Sequence, residues 1–249
     1  MRKLKKGLSI VVPALNEENF IKNTIIKINS SLKNISLEYE IFIVDDGSID
    51  KTYQQAIKLS TKNKKIRILK NKKNYGMGYS LKICAQKAKY SKILLIPGDD
   101  SFSKNAIKNL AFNSNKADFI IGYRINYFEI VSVFRKITFL GMKFLAFFLT
   151  GKILKEVNGS IVYPTKIIKY YNLKSLRYNF SIDLLNLMFL YNLNYKIVKV
   201  LINKKTIYNT NAGTFKNIFS ILITWIKLLF FNLFIFIGIK RLKQFNQNK

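Results

Sequence analysis

Residues 8–18, LSIVVPALNEE, run a short apolar stretch straight into an acidic turn, and residues 40–48, EIFIVDDGS, do the same again. Leu8 to Val12 has the length and β-branched composition of a strand covered on both faces. Working outward, Asn16 to Leu32 carries Ile21, Ile25 and Ile28 on one helical face. Glu40 to Val44 reads as the next strand. A helix from Asp50 to Thr61 has an aspartate at its start. The alternation continues with a strand over 65–69, a helix over 78–90, a strand over 92–96, a helix over 104–114 and a strand over 118–122. Regular strand–helix alternation predicts an α/β fold, a mostly parallel sheet flanked by helices.

Open parallel sheets bind ligands beyond the carboxyl ends of their strands. The residues expected there are Pro13-Ala14-Leu15-Asn16-Glu17-Glu18, Asp45-Asp46-Gly47-Ser48, Pro97-Gly98-Asp99-Asp100 and Tyr123-Arg124. Turn and cap chemistry explains Asp46 and Asp50. It does not explain three acidic loops on one edge of a chain with a net charge of +30. The chain has no histidine, which excludes Ser-His-Asp and Cys-His machinery and histidine metal sites. Carboxylates at strand ends suit Mg²⁺ or Mn²⁺, with substrate phosphates completing the shell. Asp99 is the first-choice ligand and Asp100 the fallback. Cys84 is the single cysteine, so no intrachain disulfide forms. It falls in a helical stretch and is expected to pack.

The charge of +30 would attract nucleic acid, anionic lipid or phosphorylated substrates. Enrichment in Lys, Ile, Asn, Phe and Tyr also fits a general compositional bias. A non-catalytic basic module binding membrane or nucleic acid is the reading furthest from catalysis. Carboxylates on the rim weigh against it, and nucleic acid is not an expected partner.

The segments IVVPALNEE, EIFIVDDGSIDKT, NYGMGYS, ILLIPGDDS and ADFIIGYR resemble, in order and spacing, the family 2 glycosyltransferases with their GT-A (Rossmann-like) fold. The resemblance runs over about residues 7–202. It implies a sugar moved from a nucleotide-sugar donor with inversion. By position it places Pro13, Ala14, Asn16, Glu17, Asp45, Asp46, Gly76 and Asp99 in the donor pocket, with Asp45 on the base and Asp99 on the metal. One departure stands out: where the family commonly has Asp-x-Asp, Pro97 occupies the first acidic position. Gly76-Met77-Gly78 also invites a dinucleotide fingerprint, but the third glycine would fall at Leu81.

In the second half, Glu156-Val157-Asn158-Gly159, Tyr178 to Leu185 and Asn194 to Val198 resemble the branch that glycosylates polyprenyl phosphates, the dolichol-phosphate mannose synthase group. Asn179 and Ser181 depart from it, as does the missing arginine around Thr210. An acceptor phosphate is already ionised and needs cations, for which Arg124 and Arg135 are the candidates. The alternative acceptor is a sugar hydroxyl in a surface polysaccharide. That nucleophile needs a general base, and Asp183 is the candidate.

Residues 130–150 combine apolar and aromatic side chains with Arg135, Lys136 and Lys143, the composition of a helix lying in a membrane interface. A core helix with snorkelling cations is the competing explanation. Residues 218–239 are long enough to span a bilayer, yet Lys227 lies near their middle. Lys216 flanks them on one side and Lys240, Arg241 and Lys243 on the other. These features favour a helix on the cytoplasmic leaflet. The expected organisation is a GT-A domain over 1–205 and a membrane-associating helix with a basic tail over 206–249, at the cytoplasmic face of the cell membrane. The amino-terminal run is too short for a cleaved leader.

Overall fold

The computed structural model describes residues 3–157, 159–171, 173, 180–203 and 230. Asn158, Tyr178, Asn179, Thr210, Lys216, Lys227, Lys240, Arg241 and Lys243 lie outside the described residues, as does almost all of 206–249. In chain order the elements are β1 (Lys5–Ala14), α1 (Ile21–Leu32), β2 (Tyr39–Asp45), α2 (Thr52–Lys62) and β3 (Ile66–Lys70). There follow α3 (Met77–Lys87), β4 (Tyr90–Leu95), α4 (Lys104–Asn113), β5 (Phe119–Arg124), α5 (Tyr127–Ile130) and α6 (Val133–Thr150). The last are β6 (Ile161–Pro164), α7 (Thr165–Tyr170), α8 (Phe180–Leu190) and β7 (Tyr195–Val200).

The seven strands form one sheet in the order β3-β2-β1-β4-β6-β5-β7. All neighbours are parallel except around β6, which runs antiparallel to both β4 and β5. Side chains alternate between two cores, as the period of a strand requires. Leu8, Ile10 and Val12 join Ile41 and Ile43 beneath Ile21, Ile25 and Ile28 of α1 and Ile107 and Leu110 of α4. Val11, Phe42 and Val44 face the opposite way, into Leu81, Cys84 and Ala85 of α3, Phe139 of α6 and Leu184, Leu185 and Met188 of α8. Cys84 is buried there, and burial pushes its thiol pKa far up, so it packs.

Some boundaries move from their sequence-based positions, for local reasons. Helix α1 starts at Ile21 rather than Asn16. Asn16 adopts a left-handed φ of 59°, and the backbone N–H groups of Glu17 and Glu18 are taken by Thr52 Oγ1 and Asp50 Oδ2. Helix α2 starts at Thr52 because Asp50 stands outside it, accepting from the Thr52 N–H at 2.9 Å. Arg124 is the last residue of β5 rather than part of the loop beyond it.

The parallel register sets Ala14, Asp45 and Lys70 level on three neighbouring strands. The chain after β4 stays against β1, with Gly98 N–H donating to the Pro13 carbonyl at 2.9 Å. The loops after β1, β2 and β4 therefore meet at one edge. Among the described residues no helix is long and apolar enough to cross a membrane.

Candidate functional site

The first two rim loops are stitched together. Asn16 N–H donates to Ser48 Oγ, Ile49 N–H to Asn16 Oδ1, and Lys51 N–H to Glu18 Oε2, each at 3.0 Å. Asn16 thus spends its amide oxygen on the loop after β2. Pro13 and Ala14 are buried at the end of β1.

The neighbouring aspartates Asp45 and Asp46 divide the labour. Asp46 is an internal anchor. Its Oδ1 accepts from Asn71 Nδ2 at 2.7 Å and from the Tyr75 N–H at 3.0 Å, and its Oδ2 from the Gly76 N–H at 2.8 Å. It thereby sets the turn into α3, where Gly76 sits at φ 96°, a conformation that favours glycine. Asp45 is fully buried and accepts from the Ser48 N–H through Oδ1 at 3.1 Å. Its Oδ2 is buried with no hydrogen-bond partner among the described residues. An orphaned carboxylate oxygen is costly and marks a place for a donor from outside the protein.

Glu17 and Asp99 form the acidic centre of the rim. Burial, then the negative charges of Asp99 and Asp50, push Glu17 from 4.5 up to about 7. Burial also raises Asp99, although Ser101 opposes the shift, its backbone N–H lying 3.1 Å from Asp99 Oδ1. Asp100 is engaged elsewhere: its Oδ1 lies 2.7 Å from the Lys27 ammonium on α1. Among the described residues no three His, Cys, Asp or Glu side chains gather into a metal cage. Two partly desolvated carboxylates, the charge of Asp99 raising Glu17, nevertheless fit Mg²⁺ or Mn²⁺, which take few protein ligands and complete their shell with phosphate and water.

The raised Glu17 pKa has a sign. A carboxyl more basic in the folded state stabilises the fold below its unfolded pKa, and that contribution is lost as pH rises from about 4.5 through about 7. Glu17→Gln should therefore melt higher than the parent at pH 8 in chelator and almost equally at pH 4. Equal melting temperatures at both pH values would remove the repulsion from the account.

Farther along the edge, Arg124 is committed inside the protein. Its Nε donates to Glu156 Oε2 at 2.9 Å and its Nη2 to Oε1 at 2.8 Å. The guanidinium also lies 4.2 Å from the Tyr127 ring centroid. Burial works against its charge, and Glu156 more than offsets that, raising its pKa. Glu156 also accepts from the Val157 N–H at 3.1 Å, so the pair fixes the loop before β6 onto β5. Arg135 opens α6, where its backbone N–H faces Ser132 Oγ at the helix cap.

Asp183 lies in the first turn of α8 and is fully buried, accepting from the Tyr171 hydroxyl at 2.8 Å. The Tyr171 carbonyl in turn accepts from the Lys82 ammonium, which also caps the Ile168 carbonyl at 2.9 Å. Glu156, Thr24, Lys27, Tyr171 and Lys82 were not among the residues singled out as site candidates. The acidic residue at 156 was the available signal, as a carboxylate in an otherwise basic region. Nothing local marks the others.

Helix α6 turns Phe139, Ala146 and Leu149 inward. Its other side exposes Val133, Phe134, Ile137, Leu140, Phe144 and Phe148, with Phe144 65% and Ile137 63% accessible. The helix carries three cations and no acid.

The glycosyl transferase family 2 model matches residues 9–177. The chain belongs to glycosyl transferase family 2. Among its relatives, the dolichyl-phosphate beta-glucosyltransferase of Homo sapiens is 27% identical over 202 residues, covering 72% of this chain and 62% of that protein. The dodecaprenyl-phosphate galacturonate synthase of Rhizobium johnstonii is 25% identical over 177 residues, covering 70% of this chain and 52% of that one. In both cases the chain spans less than two thirds of the relative's own length. Glucosyl-3-phosphoglycerate synthase from Mycobacterium tuberculosis, solved with Mn²⁺, UDP-glucose and phosphoglyceric acid, superposes with a TM-score of 0.64 at 17% identity, over 88% of this chain and 80% of that one. That likeness establishes the fold of this family 2 member as GT-A, as its sequence segments predict.

Proposed function

We propose that this family 2 member transfers a sugar from a nucleotide-sugar donor to a polyprenyl phosphate at a membrane surface, with inversion at the sugar carbon. The observation that carries the donor half is the rim itself. The charge of Asp99 raises Glu17, and on the loop after β2 the buried Oδ2 of Asp45 has no hydrogen-bond partner among the described residues. Asp45 would accept a hydrogen bond from the nucleobase. Glu17 and Asp99 would hold Mg²⁺ or Mn²⁺, whose charge would offset the negative charge gathering on a diphosphate leaving group.

Two observations support the lipid acceptor. One is the exposed apolar side of α6, a helix whose own sequence carries three cations and no acid, which suits the interface of an anionic leaflet. The other is the pair of relatives whose names carry dolichyl and dodecaprenyl phosphate. In this scheme the fully buried Asp183, hydrogen-bonded by Tyr171, orients the acceptor half and removes no proton, because a phosphate nucleophile is already ionised. Arg124 shapes the acceptor side through Glu156, and Arg135 on α6 faces the lipid phosphate. The setting is the cytoplasmic face of the membrane, with 206–249 adding a second contact.

The donor half is tested by titrating UDP and GDP into the protein with and without Mn²⁺. Asp45→Asn should weaken the bound nucleotide about ten- to a hundredfold, the loss of one charge-assisted hydrogen bond, while the melting temperature holds. Unchanged affinity would remove Asp45 from the pocket. The membrane half is tested on vesicles containing anionic lipid. Ile137→Glu with Phe144→Glu removes two apolar contacts worth about 1.5 kcal/mol each, so partitioning should fall on the order of a hundredfold. Undiminished binding would move the membrane contact off α6.

A further inference from the structure

The three residues that leave β7, Leu201 to Asn203, do not depart from the sheet directly. They run beside the loop that carries Asp99. Phe102 and Ile202 form an antiparallel bridge, and Ser103 N–H reaches the Leu201 carbonyl at 3.4 Å. Asn203 N–H donates to the Ser101 carbonyl at 2.8 Å, and Asn203 Nδ2 donates to the Asp100 carbonyl at 2.9 Å. From the other side, Asn126 grips Ile202 twice. Its Nδ2 donates to the Ile202 carbonyl at 2.8 Å and its Oδ1 accepts from the Ile202 N–H at 3.2 Å. A three-residue strap is thus pinned between the end of β5 and the Asp99 loop.

The strap meets that loop at its most demanding point. Asp100 has φ 59°, a left-handed conformation that a non-glycine residue keeps only when its surroundings enforce it. Three neighbours do so. Thr24 Oγ1 accepts from the Asp100 N–H at 3.0 Å, Lys27 pairs with its carboxylate, and Asn203 takes its carbonyl. The next residue, Ser101, directs its N–H at Asp99 Oδ1 while its carbonyl is held by Asn203. One residue therefore fixes the Asp100–Ser101 peptide, whose N–H meets the Asp99 carboxylate, and the peptide that follows it.

We propose that Asn203 is a positioning residue for the cation-binding centre, acting through the Asp100 and Ser101 carbonyls to hold the loop that aims the Asp99 carboxylate. The proposal rests on the assignment of Glu17 and Asp99 to a divalent cation. A purely structural strap would affect folding and leave the dependence on metal unchanged. Asn203→Asp keeps the size of the side chain and removes its donor, and Asn203→Gln restores a donor on a longer arm.

The test is calorimetric titration of UDP and GDP over a series of Mn²⁺ concentrations, with melting temperatures measured in parallel. Parent protein whose nucleotide binding ignores Mn²⁺ would overturn the metal assignment itself and, with it, this inference. Given a metal-dependent parent, Asn203→Asp is expected to raise the half-saturating Mn²⁺ concentration about tenfold, the worth of one hydrogen bond. Nucleotide affinity without metal should stay unchanged, and Asn203→Gln should recover part of the loss. Parental Mn²⁺ dependence in Asn203→Asp overturns the inference, as does equal loss of metal-free and metal-dependent binding. If Asn203→Asp does not fold, Asn203→Gln carries the same comparison: a raised Mn²⁺ requirement with intact metal-free affinity supports the role, and parental behaviour overturns it.

Discussion

Asp99→Ala is expected to abolish Mn²⁺-dependent nucleotide binding and reduce sugar transfer by at least about a thousandfold, the scale of losing an electrostatic stabiliser of a developing charge. The argument begins with position. β4 is bonded to β1 in the sheet interior, and Gly98 N–H continues that contact to Pro13, so Asp99 emerges directly beside the end of β1. Its half-buried carboxylate is raised by desolvation, and its charge raises Glu17. Without a cation the charge of Asp99 works against that of Glu17, so the variant should retain its melting temperature or exceed it above pH 7. Asp100→Ala should be milder toward metal, because that carboxylate pairs with Lys27. Wild-type turnover in Asp99→Ala would sink the metal assignment.

The largest effect on stability is expected at Arg124. Its guanidinium and the Glu156 carboxylate form a two-point ion pair whose side chains are 15% and 1% accessible. Removing one partner of a buried pair leaves the other charged and uncompensated, which costs about 3–5 kcal/mol. For a domain of this size that corresponds to a fall in melting temperature of about 10 °C. Arg124→Ala and Glu156→Ala should each show it. The double variant Arg124→Met with Glu156→Leu should regain much of the loss, since neither charge then remains buried alone. If Arg124→Ala melted like the parent and lost only acceptor affinity, the arginine would be a ligand for the acceptor phosphate, the role its position at the end of β5 first suggested.

The contrast between these residues shows what a linear sequence makes visible. The alternation of apolar runs and helical stretches was legible because each strand is buried on both faces, so Leu8 to Val12 and Glu40 to Val44 carry their environment in their composition. The acidic loops were legible for a related reason: a parallel sheet aligns the ends of its strands, so the loops carrying Asp45 and Asp99 leave the same edge. Partners within the protein were not legible. Nothing local tells Asp45 from Asp46, yet one keeps an oxygen unpaired while the other is consumed by Asn71, Tyr75 and Gly76. Arg124 looked available because Glu156 lies far away in the chain. Helix α1 was expected to begin at Asn16 because the pull of Ser48, Asp50 and Thr52 on that loop comes from another segment. Long-range hydrogen bonds decided each of these, and no local pattern encodes them.

The reversed strand β6 also sets a schedule for the growing chain. Strands β1 to β4 can assemble as a contiguous group once residue 95 has emerged, because they neighbour only one another apart from one edge of β4. β5 has no such freedom. Its two neighbours are β6 and β7, residues 161–164 and 195–200, so it leaves the ribosome with both edges unpaired. At ordinary translation speeds that interval lasts on the order of ten seconds. Phe119 to Gly122, apolar and able to pair with any exposed strand, must be shielded through it. Yield in cells should therefore depend on chaperone supply and growth temperature more steeply than the stability of the finished sheet implies.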